Sequence, residues 1–136
     1  MDIKKSSGLI FHPTSLPGKH GIGNFGKNAK TFVDYLVETN TKIWQVLPLG
    51  PTDELEYSPY SSPSSVLGNI NLIDLDNLHI QSEFTLEENK FPNEFIDFKN
   101  VYKYKSNALY NISKSIDVNE NYYQQFLNNK LIREHI

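Results

Sequence analysis

The chain has 136 residues, 38% of them hydrophobic and 12% aromatic, and its 16 acidic against 13 basic side chains leave a net charge of -3. That balance gives no footing for nucleic acid, and no stretch approaches the ~18 apolar residues that cross a bilayer, so neither nucleic acid nor membrane is an expected partner. With no cysteine, disulfides, thiolate catalysis and sulfur-ligated zinc are excluded, and a cytoplasmic protein with one core is the expectation.

Gly8-Leu9-Ile10-Phe11 is apolar without alternation and is closed by His12-Pro13, which predicts a short strand buried on both faces. Residues 12–24 contain Pro13, Pro17, Gly18, Gly21 and Gly23 and are expected to form a loop. Ala29, Phe32, Val33, Leu36 and Val37 then follow the i, i+3, i+4, i+7, i+8 spacing of an amphipathic helix. Asn24 or Asn28 is available as its N-cap, and Asn40 stands where a left-handed residue ends it. Ile43-Trp44-Gln45-Val46-Leu47 predicts a second buried strand, ended by Pro48, which has no N–H for a ladder. Strand, loop, helix and strand make a βαβ unit whose right-handed crossover sets the strands parallel. Such a unit suits a barrel and an open sheet equally, and in both the loops leaving the carboxyl ends of the strands, here 12–24 and 48–65, face the ligand.

The segment 48–65 holds Pro48, Pro51, Pro59 and Pro63 and the acidic patch Asp53-Glu54-Leu55-Glu56, and is expected to be long, stiff and irregular. Ile70, Leu72, Ile73 and Leu75 after Gly68-Asn69 predict a short extended segment. Val101, Tyr104, Ala108 and Ile112, with Leu109 and Ile116, predict one helix, and Tyr123, Phe126, Leu127 and Leu131 another.

Several residues carry chemistry of their own. His12 follows a strand end, where catalytic histidines occur in parallel folds, although a histidine that fixes the loop by hydrogen bonds is the commoner case and the one expected here. Asp53, Glu54 and Glu56 crowd one loop, but adjacent acids there are usually solvated and lack the fixed geometry that catalysis needs. His20, His79 and His135 lie scattered with no carboxylate at ligand spacing, so no metal site is expected. Gly21-Ile22-Gly23 lacks the Lys-Ser/Thr or third glycine of a phosphate cradle.

The blocks His12-Pro13-Thr14-Ser15-Leu16-Pro17-Gly18, Gly21-Ile22-Gly23-Asn24, Phe32-Val33-Asp34, Trp44 through Thr52, Ser58-Pro59-Tyr60 and Gly68-Asn69 with Leu72-Ile73-Asp74-Leu75 stand in order. In these blocks the chain resembles the N-terminal part of the amylomaltase, or disproportionating enzyme, family of 4-alpha-glucanotransferases. A looser echo continues through Ile96-Asp97-Phe98 and thins past residue 118. The resemblance implies an α/β fold, the first part of a (β/α)8 TIM barrel with part of a helical insertion, so that the barrel is incomplete in this chain. Residues 1–80 would hold the first βαβ portion with its strand-end loops, and 81–136 a mostly helical insertion or subdomain, truncated.

The activity implied is retaining transfer of α-1,4-glucan segments between maltooligosaccharides, with no cofactor. Retention needs two carboxylates about 5 to 5.5 Å apart. The family carries both on later barrel strands, so no catalytic residue is expected in this chain, which is expected to be an inactive fragment whose unpaired strand edges favour self-association. Its last residues, 131–136, leave the family's pattern, as a truncated or shifted reading frame would. Tyr60 and Ser58 are the substrate-binding residues implied: an aromatic face packs against a sugar ring, and hydroxyls bond its hydroxyls. Trp44, mid-strand between apolar neighbours, is expected to pack in the core and not to stack on glucan.

The chain departs from the family in three places: glycine-free Asp53–Tyr57 replaces a Gly-aromatic-Gly-Asp tetrapeptide, Ser61 a frequent Gln, and Ser64-Ser65-Val66-Leu67 a Ser-Ala-Phe-Ala block. The alternative is a non-enzymatic glucan-binding or interaction module that reuses the first barrel segments.

Overall fold

Strands β1 (Gly8–Ile10) and β2 (Ile43–Gln45) pair in parallel, Gly8 beside Ile43 and Ile10 beside Gln45, in a computed structural model that describes residues 5–79, 86, 90–115 and 121–129. Lys42 N–H donates to Ser7 O at 3.1 Å and Phe11 N–H to Gln45 O at 3.0 Å, which carries the ladder past both ends. The crossover is helix α1 (Lys27–Glu38), so the predicted βαβ unit is present. Phe32 of α1 holds it to the sheet, its ring 5.3 Å from Phe11 and edge-on to Trp44 at 5.0 Å. Trp44 also donates its indole N–H to Phe11 O at 2.7 Å, so it packs against α1 and β1, but it is only partly buried and not, as expected, in the core.

Burial is where the strands differ from expectation. Leu9, Ile10 and Ile43 are 40, 66 and 50% exposed, and on α1 Val37 is 72% exposed. A parallel sheet is buried when layers cover both faces and neighbours flank both edges. Among the described residues the sheet has two strands and one covering helix, so β1 and β2 show apolar side chains to solvent.

Neither asparagine caps α1. Gly26 stands at the N-cap, Asn24 Oδ1 accepts from the Gly26 N–H at 2.8 Å, and Asn28 Nδ2 donates to Pro17 O, so both side chains tie the loop instead. Asn40 does adopt the left-handed conformation at φ 53°, and Thr41 N–H closes back onto Leu36 O at 2.8 Å.

The segment read as extended is instead a 3-10 turn, Ile70–Leu72, followed by a short helix α2 (Leu75–His79). Asn69 is the reason: its Oδ1 accepts from Asn71 N–H at 2.9 Å, giving the backbone a local partner that competes with any strand ladder. The turn sends Leu72 and Leu75 inward, at 6% and 0% exposure.

Helix α3 (Phe98–Ser113) starts at Asp97, whose Oδ1 accepts from Asn100 N–H at 3.1 Å. Its inner face is Val101, Lys105, Ala108 and Ile112, with Leu75 against Ala108 and Ile112, so a core lies between α2 and α3. Helix α4 (Asn121–Leu127) matches part of the last predicted helix, with Phe126 half exposed; Ile116 and Leu131 fall outside the described residues. No helix among the described residues is long and apolar enough to cross a membrane.

Candidate functional site

The two strand-end loops are buckled together by His12. It caps a 3-10 turn at Pro13–Ser15, where its Nδ1 lies 2.6 Å from Thr14 Oγ1 and accepts from Thr14 N–H at 3.4 Å. With Nδ1 as the acceptor, the proton sits on Nε2, which donates across to Pro48 O at 3.4 Å. Burial holds this imidazole below its ordinary pKa, against a smaller upward pull from the Pro48 carbonyl. His12 therefore does the loop-fixing work expected of it.

His20 forms a network that sequence spacing does not reveal, because its partners lie 56 and 84 residues away. It is 4% exposed; Nε2 is 3.2 Å from Asp76 Oδ1, and Nδ1 is 3.2 Å from the Tyr104 hydroxyl, with the two rings stacked at 5.7 Å. Lys19 Nζ also reaches Asp76 Oδ1, at 3.0 Å. Burial keeps the imidazole below its ordinary pKa although the Asp76 charge raises it, with Lys19 and Lys105 adding to the lowering. The sign follows. A histidine whose folded pKa is depressed binds fewer protons folded than unfolded, so stability is lost as pH falls below about 6.5 toward the folded value. Urea midpoints are therefore expected to fall between pH 7.5 and pH 5.5, and a His20→Gln variant is expected to show a flatter profile over that interval.

In the loop 48–65 the acidic patch closes on itself. Asp53 Oδ1 accepts from the backbone N–H groups of Glu56 at 2.7 Å and Leu55 at 2.8 Å, which hold its carboxyl below the usual range. Tyr57 takes the left-handed conformation at φ 54° and lays its ring on Phe98, 5.4 Å between centroids and 13° from parallel. Ser58 Oγ accepts from Tyr60 N–H at 3.2 Å and Ser58 O from Ser61 N–H at 3.1 Å, a turn that leaves the Tyr60 ring 73% exposed.

Between these loops and the start of α3 lies a cleft of about 160 Å³, walled by His12, Thr14, Thr52, Tyr57, Asn71 and Phe98. Among the described residues no aspartate, glutamate, lysine or arginine lines it. The structure thus places Tyr60 and Ser58 on one turn, with Tyr57 and Pro59 of the same loop on the cleft wall. Asn71 and Phe98 are the wall residues that sequence reasoning missed. The first sits on the turn read as extended, and the second is the first residue of a helix chosen for its inner stripe.

A family model described as 4-alpha-glucanotransferase matches residues 11–133. The 4-alpha-glucanotransferase of Thermus thermophilus is 43% identical over 109 residues, which is 80% of this chain and 22% of that protein. That of Streptococcus pneumoniae serotype 4 is 52% identical over 73 residues, 54% of this chain and 14% of that protein. Among solved structures, the amylomaltase of Streptococcus agalactiae in complex with acarbose is 37% identical with a TM-score of 0.81, covering 96% of this chain and 27% of that one. The chain thus spans about a fifth of the length of the Thermus relative.

Proposed function

The chain belongs to the 4-alpha-glucanotransferase family, and from that premise we propose that it takes part in retaining transfer of α-1,4-glucan segments between maltooligosaccharides. In this reading β1, α1 and β2 are the first unit of a (β/α)8 barrel, and the later helices belong to an insertion on it. The amylomaltase neighbour's complex with acarbose supports a glucan as substrate.

The observation that carries the site is the Tyr60 turn. Parallel α/β folds place ligands at the carboxyl ends of their strands, and there the Ser58 turn holds an aromatic face in solvent. An exposed, backbone-fixed ring suits the apolar face of a glucose unit.

The chemistry itself needs more than this rim. In retaining transfer a carboxylate forms a bond to the anomeric carbon as the glycosidic C–O bond breaks and an acid protonates the departing oxygen; the acceptor's 4-hydroxyl then displaces the carboxylate while giving its proton to the conjugate base of that acid. Here Asp53 closes a turn, Asp76 pairs with Lys19 and His20, and Asp97 caps α3. The proposed role of this chain is glucan contact; the resemblance gives none of its acidic residues a part in the carboxylate pair.

Titrating the purified chain with maltotriose, followed by NMR, tests this reading. Tyr60→Ala is expected to weaken binding by about tenfold or more, the loss of a single anchoring aromatic, while Tyr60→Phe keeps most of it. Chromatography of the same mixture should show no disproportionation above a protein-free control. Equal affinity of Tyr60→Ala and the parent chain would remove Tyr60 from the site.

A further inference from the structure

Helix α1 covers the sheet with one face and leaves a second apolar flank without cover. Phe32 turns to Phe11 and Trp44, and Leu36 is buried. Ala29, Val33 and Val37 follow one another at i, i+4 spacing on the adjoining flank, where Val33 is 44% and Val37 72% exposed. Ala29 and Val33, with Phe25 and Trp44, form the apolar lining of a groove of about 510 Å³, and Lys30 and Asp34 are its remaining lining residues. Among the described residues this lining takes nothing from either strand-end loop, and it has no hydroxyl or amide side chain to bond a sugar.

The charges decide what fits. Lys30 and Asp34 are exposed, one turn apart on the same flank, and among the described residues neither has an ion-pair partner. An occupant must therefore bring an apolar stripe edged by an anion opposite Lys30 and a cation opposite Asp34. Helix α1 itself, run antiparallel, brings both. A two-fold axis level with Phe32 sets Lys30 of one copy opposite Asp34 of the other, twice over, and Val33 beside its counterpart. We propose that this groove docks a second copy of the chain, α1 against α1, as a weak symmetric dimer. Because α1 has 12 residues, about 18 Å of helix, the contact is at the small end of specific interfaces, and a dissociation constant on the order of 100 µM is expected.

Sedimentation equilibrium of the 136-residue chain from about 10 µM to about 1 mM measures the dimer, with circular dichroism to show that each variant is folded. Val33→Glu, at an exposed position, is expected to weaken dimerisation at least about tenfold, because it sets two carboxylates face to face in the apolar seam. Lys30→Asp and Asp34→Lys are each expected to weaken it about tenfold, since each puts like charges opposite one another at both symmetric positions. Mixed in equal amounts, these two variants are expected to restore it. The Lys30→Asp chain then offers two anions to the two cations of the Asp34→Lys chain, an effect that misfolding of either would not produce.

A parent chain that stays monomeric to about 1 mM would overturn the proposal. Dimers that survive Val33→Glu unchanged would put association on the strand edges or another face and overturn it equally. Should Val33→Glu fail to fold, the mixture decides: no gain over either charge variant alone removes α1 from the interface.

Discussion

At pH 10 the Lys105→Met variant is expected to be about 3 kcal/mol less stable than the parent chain, and at pH 7 only about 1 kcal/mol less stable. Lys105 occupies the buried stripe of α3 at 0% exposure, and its Nζ donates to Asn71 O at 2.6 Å and Ile73 O at 2.7 Å, carbonyls of the 3-10 turn and its C-cap. Methionine matches its length and leaves little cavity, so the change isolates the donors. Two carbonyls stripped of partners cost about 2 kcal/mol each.

Against that stands the cost of burying an ammonium, which pushes the Lys105 pKa down from 10.5 to about 8 despite the Asp74 charge nearby. Methionine escapes that cost, which is about 3 kcal/mol at pH 7. The sign follows from proton counting. Between pH 8 and 10.5 the unfolded chain holds the lysine proton and the folded chain does not, so the stability of the parent rises with pH through that window. Near pH 10 most of the burial cost has gone while the neutral amine still donates, and the loss of donors in the variant shows almost in full. Urea midpoints of both proteins at the two pH values measure the effect, and subtraction removes titrations they share. A difference that does not change with pH would mean that Lys105 is charged at no cost, and this account of α3 would be wrong.

Lys105 also shows where sequence reading stops. Periodicity found α3 because Val101, Ala108 and Ile112 are apolar, but it read the lysine between them as a gap, since charge is normally on the outer face. What draws it inward is the pair of turn carbonyls more than 30 residues earlier. The βαβ unit was legible for the opposite reason: its signals, the stripe of α1 and the Asn40 terminator, are local. The 3-10 turn was misread because Ile70, Leu72, Ile73 and Leu75 mix spacings of two and three, and the Asn69 side chain decided between them. In the site, Ser58-Pro59-Tyr60 stood out as a block, whereas the cleft depends on Asn71 and Phe98 arriving from separate elements, for which no spacing exists.

The second large effect is expected at the glycines of the first loop. A Cβ on Gly18 would stand 1.8 Å from Ile22 O, and one on Gly23 would stand 2.1 Å from Pro13 O and 2.6 Å from Leu16 O. These neighbours are backbone, so no rotamer change relieves the overlap, and the loop must open. It is the same loop that carries His12 and Thr14, two walls of the cleft, and its Gly23 N–H to Thr14 O bond at 3.0 Å is among the contacts that opening breaks. Gly18→Ala and Gly23→Ala are each expected to cost more than about 4 kcal/mol, beyond the usual range for a point change. Gly68→Ala is the control. Nothing lies within 4 Å of its Cβ position, so the same chemical change should be neutral or stabilise by about 0.5 kcal/mol through the unfolded chain. Urea unfolding separates the three variants, and sugar titration adds a second reading. If the loop supports the glucan site at the strand ends, a Gly23→Ala chain that still folds should lose maltotriose binding, while Gly68→Ala keeps it. Equal stability of Gly18→Ala and Gly68→Ala would show that the chain does not cross itself at Ile22, and the wall formed by Thr14 would then need another support.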